Sequence, residues 1–322
     1  MRFYSIIIPV YNRPNEVDEL LGSLTEQTYK HFEVIIVEDG STDKCDRLIE
    51  KYDSQLQLQY FYKPNTGQGF SRNFGFARGK GGYLIVFDSD CLIPSHYLQT
   101  VNDFLDKEPL EAFGGPDRAM DNFTTVQRAI SYSMTSIFTT GGIRGGKKRL
   151  GAFHPRSFNM GISKQVFEDT GGYIITRMGE DIEFSIRIIE KGFKTGLIPN
   201  AFVYHKRRTS LGQFYKQLHF FGRARINVGR FYPKEIKPVH IFPLLFALGI
   251  LAAPISALFG FTLLSYVGFA AYLGFTILIL SDAVIKTKNV SVALVSVAAA
   301  FTQLIAYGHG FFSESWRRVT KG

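Results

Sequence analysis

Cysteine is scarce in this sequence, which contains only Cys45 and Cys91 among its 322 residues. Two cysteines are too few for the disulfide framework of a small secreted domain, and their scarcity favours a reducing compartment. The first apolar stretch is too short for a signal peptide or a membrane anchor, because Pro9, Asn12 and Arg13 end it. We therefore expect the N-terminal part of the chain to lie on the cytoplasmic side of a membrane.

Charged residues are absent from the long stretch between Ile241 and Ser281. A straight helix of about 40 residues would be about 60 Å long, roughly twice the hydrocarbon thickness of a bilayer, so we expect a hairpin that turns near residues 258–261. A second uncharged run, residues 289–313, is long enough for another crossing. The alternative is a buried helical bundle in a soluble protein, which is disfavoured because uncharged runs of this length are rare there.

The composition thus predicts a membrane region over residues 231–322 with about three hydrophobic helices. Their approximate bounds are residues 241–259, 262–281 and 290–312. Three crossings would leave Arg317, Arg318 and Lys321 on the far side, against the tendency of basic residues to stay inside. Two or four embedded passes, or an apolar segment that dips into the interface, therefore remain open alternatives.

Strand and helix patterns alternate over the first hundred residues. The strand patterns cover residues 4–10, 32–40, 56–64 and 82–90. The helical patterns cover residues 15–29, 43–54, 67–79 and 94–108. Strands this uniformly apolar predict a parallel sheet covered by helices on both sides. Ligands bind beyond the carboxyl ends of such strands, so Asn12, Asp39 and the Asp88/Asp90 pair should converge on one crevice.

The same pattern would fit a dehydrogenase, but the required glycines are missing. The first strand runs into "IIIPVYNRP", which has no glycine where a dinucleotide's pyrophosphate needs close backbone approach. No predicted strand runs into a G-x-G-x-x-G motif. These absences exclude a dinucleotide-binding dehydrogenase.

Two aspartates follow the apolar run "YLIVF", in the stretch "YLIVFDSDC". Neighbouring carboxylates at the end of a buried strand repel each other and need a positive partner. Mg²⁺ or Mn²⁺ would serve, because these cations prefer carboxylate oxygen and are often shared with substrate phosphates. The alternative is that Asp88 and Asp90 cap the following helix at the surface. A D-x-D motif alone does not decide between the two.

Four segments in order resemble the motifs of family 2 glycosyltransferases. They are "SIIIPVYNRP", "VEDGSTD", "NTGQGFSRNFGFARGKGGYLIVFDSD" and "GGYIITRMGEDIEFSIRIIEKGF", and the resemblance extends from about Arg2 to Arg230. It implies a GT-A fold, a Rossmann-like α/β domain with a mostly parallel sheet, over residues 1–230. It also implies an inverting transfer of a sugar from a nucleotide-diphosphate sugar, with Mn²⁺ or Mg²⁺ as cofactor.

The resemblance also implies roles for individual residues. The residues that bind the nucleotide sugar would be Pro9, Tyr11, Asn12, Asp39, Arg72, Asn73, Asp88, Arg223 and Arg225. The metal ligands would be Asp88, Asp90 and His205, although a lone histidine is more often structural. Asp181 would be the catalytic base and Glu180 would orient the acceptor or a nearby loop, although two acids at a helix start can simply complement its dipole. The segments "FGGPDRAM" and "RSFNMG" should shape the sugar or acceptor pocket, lined by Arg156 and Asn159.

A strongly basic segment precedes the predicted membrane region. Residues 206–237 contain nine Lys and Arg residues against Glu235 alone, a net charge of +8. This segment fits the donor diphosphate, an acidic acceptor or the anionic surface of a membrane. Nucleic acid is disfavoured as a partner because the charge adjoins the apolar helices. Residues 141–149, which are rich in glycine and basic residues, should form a mobile loop.

These patterns predict a multi-pass protein of the inner membrane whose catalytic domain faces the cytoplasm. Its acceptor would be a polyprenyl phosphate or a lipid-linked glycan, as in the synthesis of cell-envelope glycans. The alternative is a non-catalytic membrane scaffold that binds nucleotide through a transferase-like domain. A scaffold has no need for Asp88, Asp90 and Asp181 together, and all three are present.

Overall fold

The computed structural model describes residues 1–120, 122–140 and 153–321, which divide into two compact units. The first unit takes its described residues from Met1–Met120 and Arg149–Lys206, and the second from Asp121–Lys148 and Arg207–Gly322. The predicted domain boundary at residue 230 therefore falls within the second unit. The glycine-rich segment 141–149, predicted to be a mobile loop, lies outside the described residues.

Strands form the first unit's framework, and helices occur in both units. The strands are β1 (Tyr4–Val10), β2 (Phe32–Asp39), β3 (Leu58–Lys63), β4 (Tyr83–Phe87), β5 (Cys91–Leu92), β6 (Ala112–Gly114), β7 (Asp117–Arg118), β8 (Asn159–Ser163), β9 (Thr195–Leu197) and β10 (Val203–His205). The helices of the first unit are α1 (Pro14–Thr25), α2 (Leu48–Tyr52), α3 (Gln68–Phe76), α4 (Tyr97–Lys107), α7 (Lys164–Thr170) and α8 (Glu180–Glu190). Those of the second unit are α5 (Thr125–Thr135), α6 (Ile137–Thr140), α9 (Leu211–Phe231), α10 (Phe242–Leu258), α11 (Thr262–Thr287) and α12 (Val290–Lys321).

The large sheet of the first unit has the strand order β3-β2-β1-β4-β8-β6-β9. Strands β3, β2, β1 and β4 are mutually parallel, and β8 runs antiparallel between β4 and β6. A second, three-stranded sheet has the order β5-β10-β7. Its strand β5 is the next strand after β4 in the chain. The mostly parallel α/β fold predicted from the sequence is therefore confirmed.

Both faces of the large sheet are buried, which explains the uniformly apolar strands. On one face, Ile6 and Ile8 share a cluster with Val17, Leu20 and Leu24 of α1. On the other face, Ile7 and Val86 share a cluster with Phe76 of α3 and Phe184 of α8. Because neighbouring residues of one strand point to opposite faces, a strand between two helical layers must be apolar throughout.

The second unit contains the three predicted hydrophobic helices, as α10, α11 and α12. By length and composition, α11 and α12 are long and apolar enough to cross a membrane, whereas α10 is shorter with 17 residues. Helix α12 continues to Lys321, past the predicted end at residue 312, and pairs Glu314 with Arg317 and Arg318 on its last turns. Intrahelical ion pairs of this kind allow a helix to extend beyond its apolar part.

The packing around Gly115 gives a stability test. A Cβ added at Gly115 would lie 1.6 Å from the carbonyl oxygen of Ala201, whereas a Cβ at Gly82 would meet no atom within 4 Å. We expect Gly115→Ala to lower the free energy of unfolding by about 1–3 kcal/mol through overpacking. The matched variant Gly82→Ala should leave it nearly unchanged. Thermal unfolding of the full chain in detergent checks both, and equal effects of the two variants would contradict this packing.

Candidate active site

Residues at the end of β1 and β2 form one corner of the candidate site. Asn12 follows β1 with a φ of 53°, and its Oδ1 accepts hydrogen bonds from the backbone N–H groups of Thr42 (2.8 Å) and Asp43 (3.0 Å). Asn12 thus fixes the loop after β2. Pro9 is paired with Val37 inside the sheet, while Tyr11 is 54% exposed and offers its ring to a ligand.

Asp39 ends β2 and is held by groups of the chain itself. Its carboxylate forms an ion pair with Lys63 and accepts hydrogen bonds from the backbone N–H groups of Thr66 and Gly67, both at 2.9 Å. Burial opposes its ionisation, but the hydrogen bonds from Lys63 and Thr66 outweigh burial and hold the pKa of Asp39 below its ordinary value. Asp39 is therefore an anion that shapes the loop of residues 63–67.

Arg72 lies at the centre of the site and is only 1% exposed. Its Nη2 donates to Asp88 Oδ1 at 2.9 Å, and its Nη1 donates to Glu180 Oε1 at 3.2 Å. Burial opposes the charged form of Arg72, but the surrounding Tyr173, Asp88 and Glu180 raise its pKa above the ordinary value. One buried guanidinium thus joins the D-x-D motif of β4 to the acidic pair at the start of α8.

The two acids at the start of α8 have different environments. Glu180 is 4% exposed and is held by Arg72 and by the side-chain amide of Gln68. Burial and the charge of Asp181 raise the pKa of Glu180 above its ordinary value. The Asp181 side chain is 21% exposed and its Oδ2 is 3.4 Å from Arg156 Nη1. Asp181 is therefore the more exposed acid of the pair.

Asp90 and His205 meet where β5 pairs with β10. His205 Nε2 is 3.1 Å from Asp90 Oδ1, while Arg13 Nη1 donates to Asp90 Oδ2 at 2.8 Å. The ligand atoms of Asp90, Cys91 and His205 lie within 4.8 Å of one another. Burial raises the pKa of Cys91 well above its ordinary value, so its thiol stays neutral and is a poor ligand for a hard cation.

The Asp90–His205 pair fits a divalent cation, because a carboxylate and an imidazole are both ligands for such ions. His205 Nδ1 is buried and has no hydrogen-bond partner among the described residues, so the ring orientation is not fixed through that atom. Among the described residues, the cluster of possible metal-ligand atoms contains Asp90 and His205 but not Asp88. Arg72 and Arg13 already give Asp88 and Asp90 positive partners, so neutralising the two aspartates does not require a metal ion.

Two predicted ligand residues use their side-chain amides inside the fold. Asn73 donates to the backbone carbonyl of Tyr173 and accepts from its N–H, both at 2.8 Å. Asn159 is 1% exposed, accepts from Tyr97 at 2.5 Å and donates to the carbonyl of Ala201 at 2.9 Å. These hydrogen bonds support structural roles for Asn73 and Asn159 more than the predicted roles in binding nucleotide or sugar. Arg156, by contrast, is close to Asp181.

Arg223 and Arg225 belong to α9 in the second unit. Arg223 Nε donates to Glu314 Oε2 at 3.1 Å. The contacts of Arg223 and Arg225 with the donor diphosphate stay predictions.

Sequence reasoning missed Arg13 and Gln68 as site residues. Their places in the sequence could have indicated them, because Arg13 follows the end of β1 and Gln68 begins α3, and both places are at the same edge of the sheet.

Residues 5–171 match the sequence model of the family described as Glycosyl transferase family 2. An uncharacterized glycosyltransferase of Rickettsia bellii is 38% identical over 103 residues, which are 32% of this chain and 15% of that protein. The poly(ribitol-phosphate) beta-N-acetylglucosaminyltransferase TarS of Staphylococcus aureus is 33% identical over 111 residues, which are 33% of this chain and 19% of TarS. The match therefore spans less than a fifth of the length of these relatives.

Solved structures share the fold at low sequence identity. The crystal structure of TarS residues 1–349 has a TM-score of 0.51 and 21% identity, and the similarity covers 70% of this chain and 66% of that one. The mannosyltransferase PcManGT of Pyrobaculum calidifontis, in complex with GDP-Man and Mn²⁺, has a TM-score of 0.65 and 15% identity over 98% of this chain and 88% of its own. These similarities confirm the predicted GT-A fold.

The position of Arg72 predicts a pH-dependent loss of stability in Arg72→Met. Breaking a buried ion pair typically costs about 3–5 kcal/mol, because the remaining carboxylates lose their counter-charge. A carboxyl whose pKa is raised on folding contributes stability below its unfolded pKa, and loses that contribution as pH rises through the folded pKa. We therefore expect the loss in Arg72→Met to be larger at about pH 8 than at about pH 5.

Thermal unfolding of the full chain at the two pH values measures this difference. Arg78→Met is the matched control, because Arg78 lies two residues past the end of the same helix, over the ring of Phe74, and donates to a backbone carbonyl. Its effect should be small and independent of pH. An Arg72→Met loss that is equal at both pH values would contradict the assigned ion pairs.

Proposed function

Because this chain belongs to glycosyl transferase family 2, we propose that it is a glycosyltransferase that uses a nucleotide-diphosphate sugar as donor. The observation that carries the proposal is the pair of hydrogen bonds from Arg72 to Asp88 and Glu180, which supports a donor site next to the acidic pair of α8. Two structural neighbours support this donor class, since TarS binds UDP-GlcNAc and PcManGT binds GDP-Man with Mn²⁺.

On the acceptor side, Asp181 is the proposed general base. It takes the proton of the attacking hydroxyl while the new glycosidic bond forms and the bond between the sugar and the diphosphate breaks. Attack from the face opposite the diphosphate inverts the anomeric centre. Glu180 is held by Arg72 and Gln68 and keeps the start of α8 in place. Arg156 contacts the other side of Asp181 and limits its orientations.

On the donor side, Asp90 and His205 are the residues that would hold Mn²⁺ or Mg²⁺, with Asp88 as a further proposed ligand. When bound, such an ion stabilises the negative charge that develops on the leaving diphosphate. The residues of the first unit proposed for the nucleotide and its phosphates are Pro9, Tyr11, Asn12, Asp39, Arg72 and Asp88. The exposed ring of Tyr11 suits stacking on the base.

The acceptor proposed for this enzyme is membrane-associated, a polyprenyl phosphate or a lipid-linked glycan of cell-envelope synthesis. The apolar helices of the second unit support a membrane location. The proposed membrane is the inner membrane, and the proposed orientation has the catalytic residues facing the cytoplasm. The basic segment that precedes them suits the phosphate of such an acceptor.

The assignment of the base predicts that Asp181→Asn lowers sugar transfer by about 10²–10⁴-fold, because the hydroxyl loses its proton acceptor. The affinity for the nucleotide sugar should stay near normal. The measurement is nucleoside-diphosphate release from a panel of nucleotide sugars, with Mn²⁺ or Mg²⁺ and membrane lipid extract as the acceptor source.

Glu168→Gln is the control for this test, since Glu168 is an exposed acid on α7 and should be neutral in its effect. An Asp181→Asn variant that transfers sugar at the normal rate would overturn the assignment of the base. A wild-type chain that binds nucleotide but releases no diphosphate with any donor would favour the scaffold alternative.

The proposed metal site predicts a different defect in Asp90→Asn and His205→Ala. Both changes should weaken the nucleotide affinity in the presence of Mn²⁺, and leave the weaker affinity in the presence of a chelator nearly unchanged. Titration of UDP and GDP with and without Mn²⁺ measures this. A normal enhancement by Mn²⁺ in both variants would contradict the site.

A further inference from the structure

Helix α12 is long and apolar enough to cross a membrane, yet two helices of its own unit cover it. Phe214 and Leu218 of α9 and Ile130 of α5 share one buried cluster with Ala299 and Ala306 of α12. The apolar window of α12 is 44% buried, against 11% for that of α11. Protein therefore already covers nearly half of the apolar window of α12, four times the share covered in α11.

The contacts in the middle of α12 are polar. Gln303 accepts from the hydroxyl of Ser133 at 3.0 Å and donates to the carbonyl of Thr139 at 3.2 Å. Further along, His309 Nδ1 is 2.7 Å from the hydroxyl of Tyr215 on α9. If residues 290–312 crossed a bilayer, the Gln303 contacts would lie at hydrocarbon depth, and the exposed Lys216 of α9, next to the Tyr215–His309 contact, would lie near the edge of the hydrocarbon. Such groups are costly there, which argues against a crossing by α12.

The backbones of α9 and α12 are in direct contact over this region. A Cβ added at Gly222 would lie 2.1 Å from the carbonyl oxygen of Tyr307, and one at Gly310 would lie 2.0 Å from that of His219. Only glycine permits this approach, so α9 follows α12 closely and cannot be separated from it without loss of packing. The basic helix α9 and α12 must therefore share one environment.

The C-terminal end of α12 is also fixed to α9. Glu314 is 1% exposed and forms ion pairs with Arg223 of α9 and with Arg317 and Arg318 of α12. Arg318 Nη1 also donates to the carbonyl of Ile226 at 2.9 Å. Arg318 therefore lies beside α9, and the basic end of α12 is on the same side as α9, which removes the conflict with the positive-inside tendency that three crossings create.

The α10–α11 hairpin has the opposite character. Among residues 251–271 the buried side chains are the small ones of Ala253, Ser256 and Ser265, where the two helices meet. Large apolar side chains around them are exposed, with Leu258 at 84% and Leu263 at 76%. Residues 251–271 contain no charged side chain and expose their large apolar ones, so this end of the hairpin is suited to lipid and not to water.

The length of the hairpin limits how far it reaches. Helix α10 has 17 residues, so it is about 25 Å long, shorter than the hydrocarbon core of about 30 Å. The turn that joins it to α11 contains Phe259, Gly260 and Phe261. The turn has no polar side chain, and the backbone N–H groups of its three residues donate to carbonyls of α10 (Ile255, Ala257 and Ser256), so it suits the membrane interior.

Building on the membrane location proposed above, we propose that the chain is held in a bilayer by one re-entrant hairpin, α10–α11. The hairpin enters and leaves through the same face, and its turn stays within the hydrocarbon. Helix α12 remains outside the hydrocarbon, packed against α5, α9 and the base of the hairpin, where Phe301 contacts Phe246 of α10 and Phe275 of α11. The basic residues of α9 lie at the anionic headgroups on that face.

Single cysteines test this arrangement in the full chain, since the native Cys45 and Cys91 are both buried. The variants are Lys216→Cys on α9, Val290→Cys and Thr320→Cys at the two ends of α12, and Thr262→Cys at the hairpin turn. Sealed membrane vesicles of both orientations are treated with a membrane-impermeant maleimide. We expect the first three cysteines to react from one and the same side, and Thr262→Cys to react from neither side until detergent is added.

Reaction of Val290→Cys and Thr320→Cys from opposite sides would show that α12 crosses and would overturn the proposal. Reaction of Thr262→Cys in sealed vesicles, from either side, would overturn the re-entrant hairpin. Leu264→Cys repeats the turn measurement if Thr262→Cys does not accumulate, and the wild-type chain gives the background. Sugar transfer is not part of this readout, so its result is independent of the catalytic assignments.

Discussion

The first unit depends on one buried charge, the guanidinium of Arg72. Removal of a guanidinium from water is unfavourable unless it is paired and hydrogen-bonded, so the fold must supply anions around it. Asp88 at the end of β4 and Glu180 at the start of α8 do so, and the ring of Tyr173 lies 5.4 Å away. The donor motif and the acidic pair cannot move independently while this charge stays buried. The proposed chemistry therefore depends on an interaction that is itself structural.

Much of the fold and part of the site were predictable from the sequence. The apolar strands and the polar residues at their ends follow from the local hydrophobic pattern. The D-x-D motif and the Glu180-Asp181 pair are each visible as a short segment of the sequence. The burial of Arg72 was not predictable, because it results from contacts between segments far apart in the chain. Asn73 and Asn159 show the same limit, since nothing local indicates that Tyr173 and Ala201 engage their amides. Asp39 likewise meets Lys63 only through the pairing of β2 with β3.

The second unit shows why composition alone cannot count membrane crossings. An uncharged apolar run is compatible with a helix in lipid and with a helix in a protein core. The sequence of α12 does not reveal that α5, more than 150 residues earlier, packs against it. Helices α10 and α11 have a similar composition, yet their side chains remain exposed over most of the hairpin. The difference between these helices lies in their neighbours.

The central claim, that one buried cation holds Asp88 and Glu180 together, is tested most directly by charge rescue. The measurement is the stability of Arg72→Met at neutral pH, alone and combined with Asp88→Asn and Glu180→Gln. If Arg72 serves to neutralise these two acids, the triple variant should regain much of the stability that Arg72→Met loses. A triple variant that is less stable than Arg72→Met by the sum of the two acid substitutions would contradict the account.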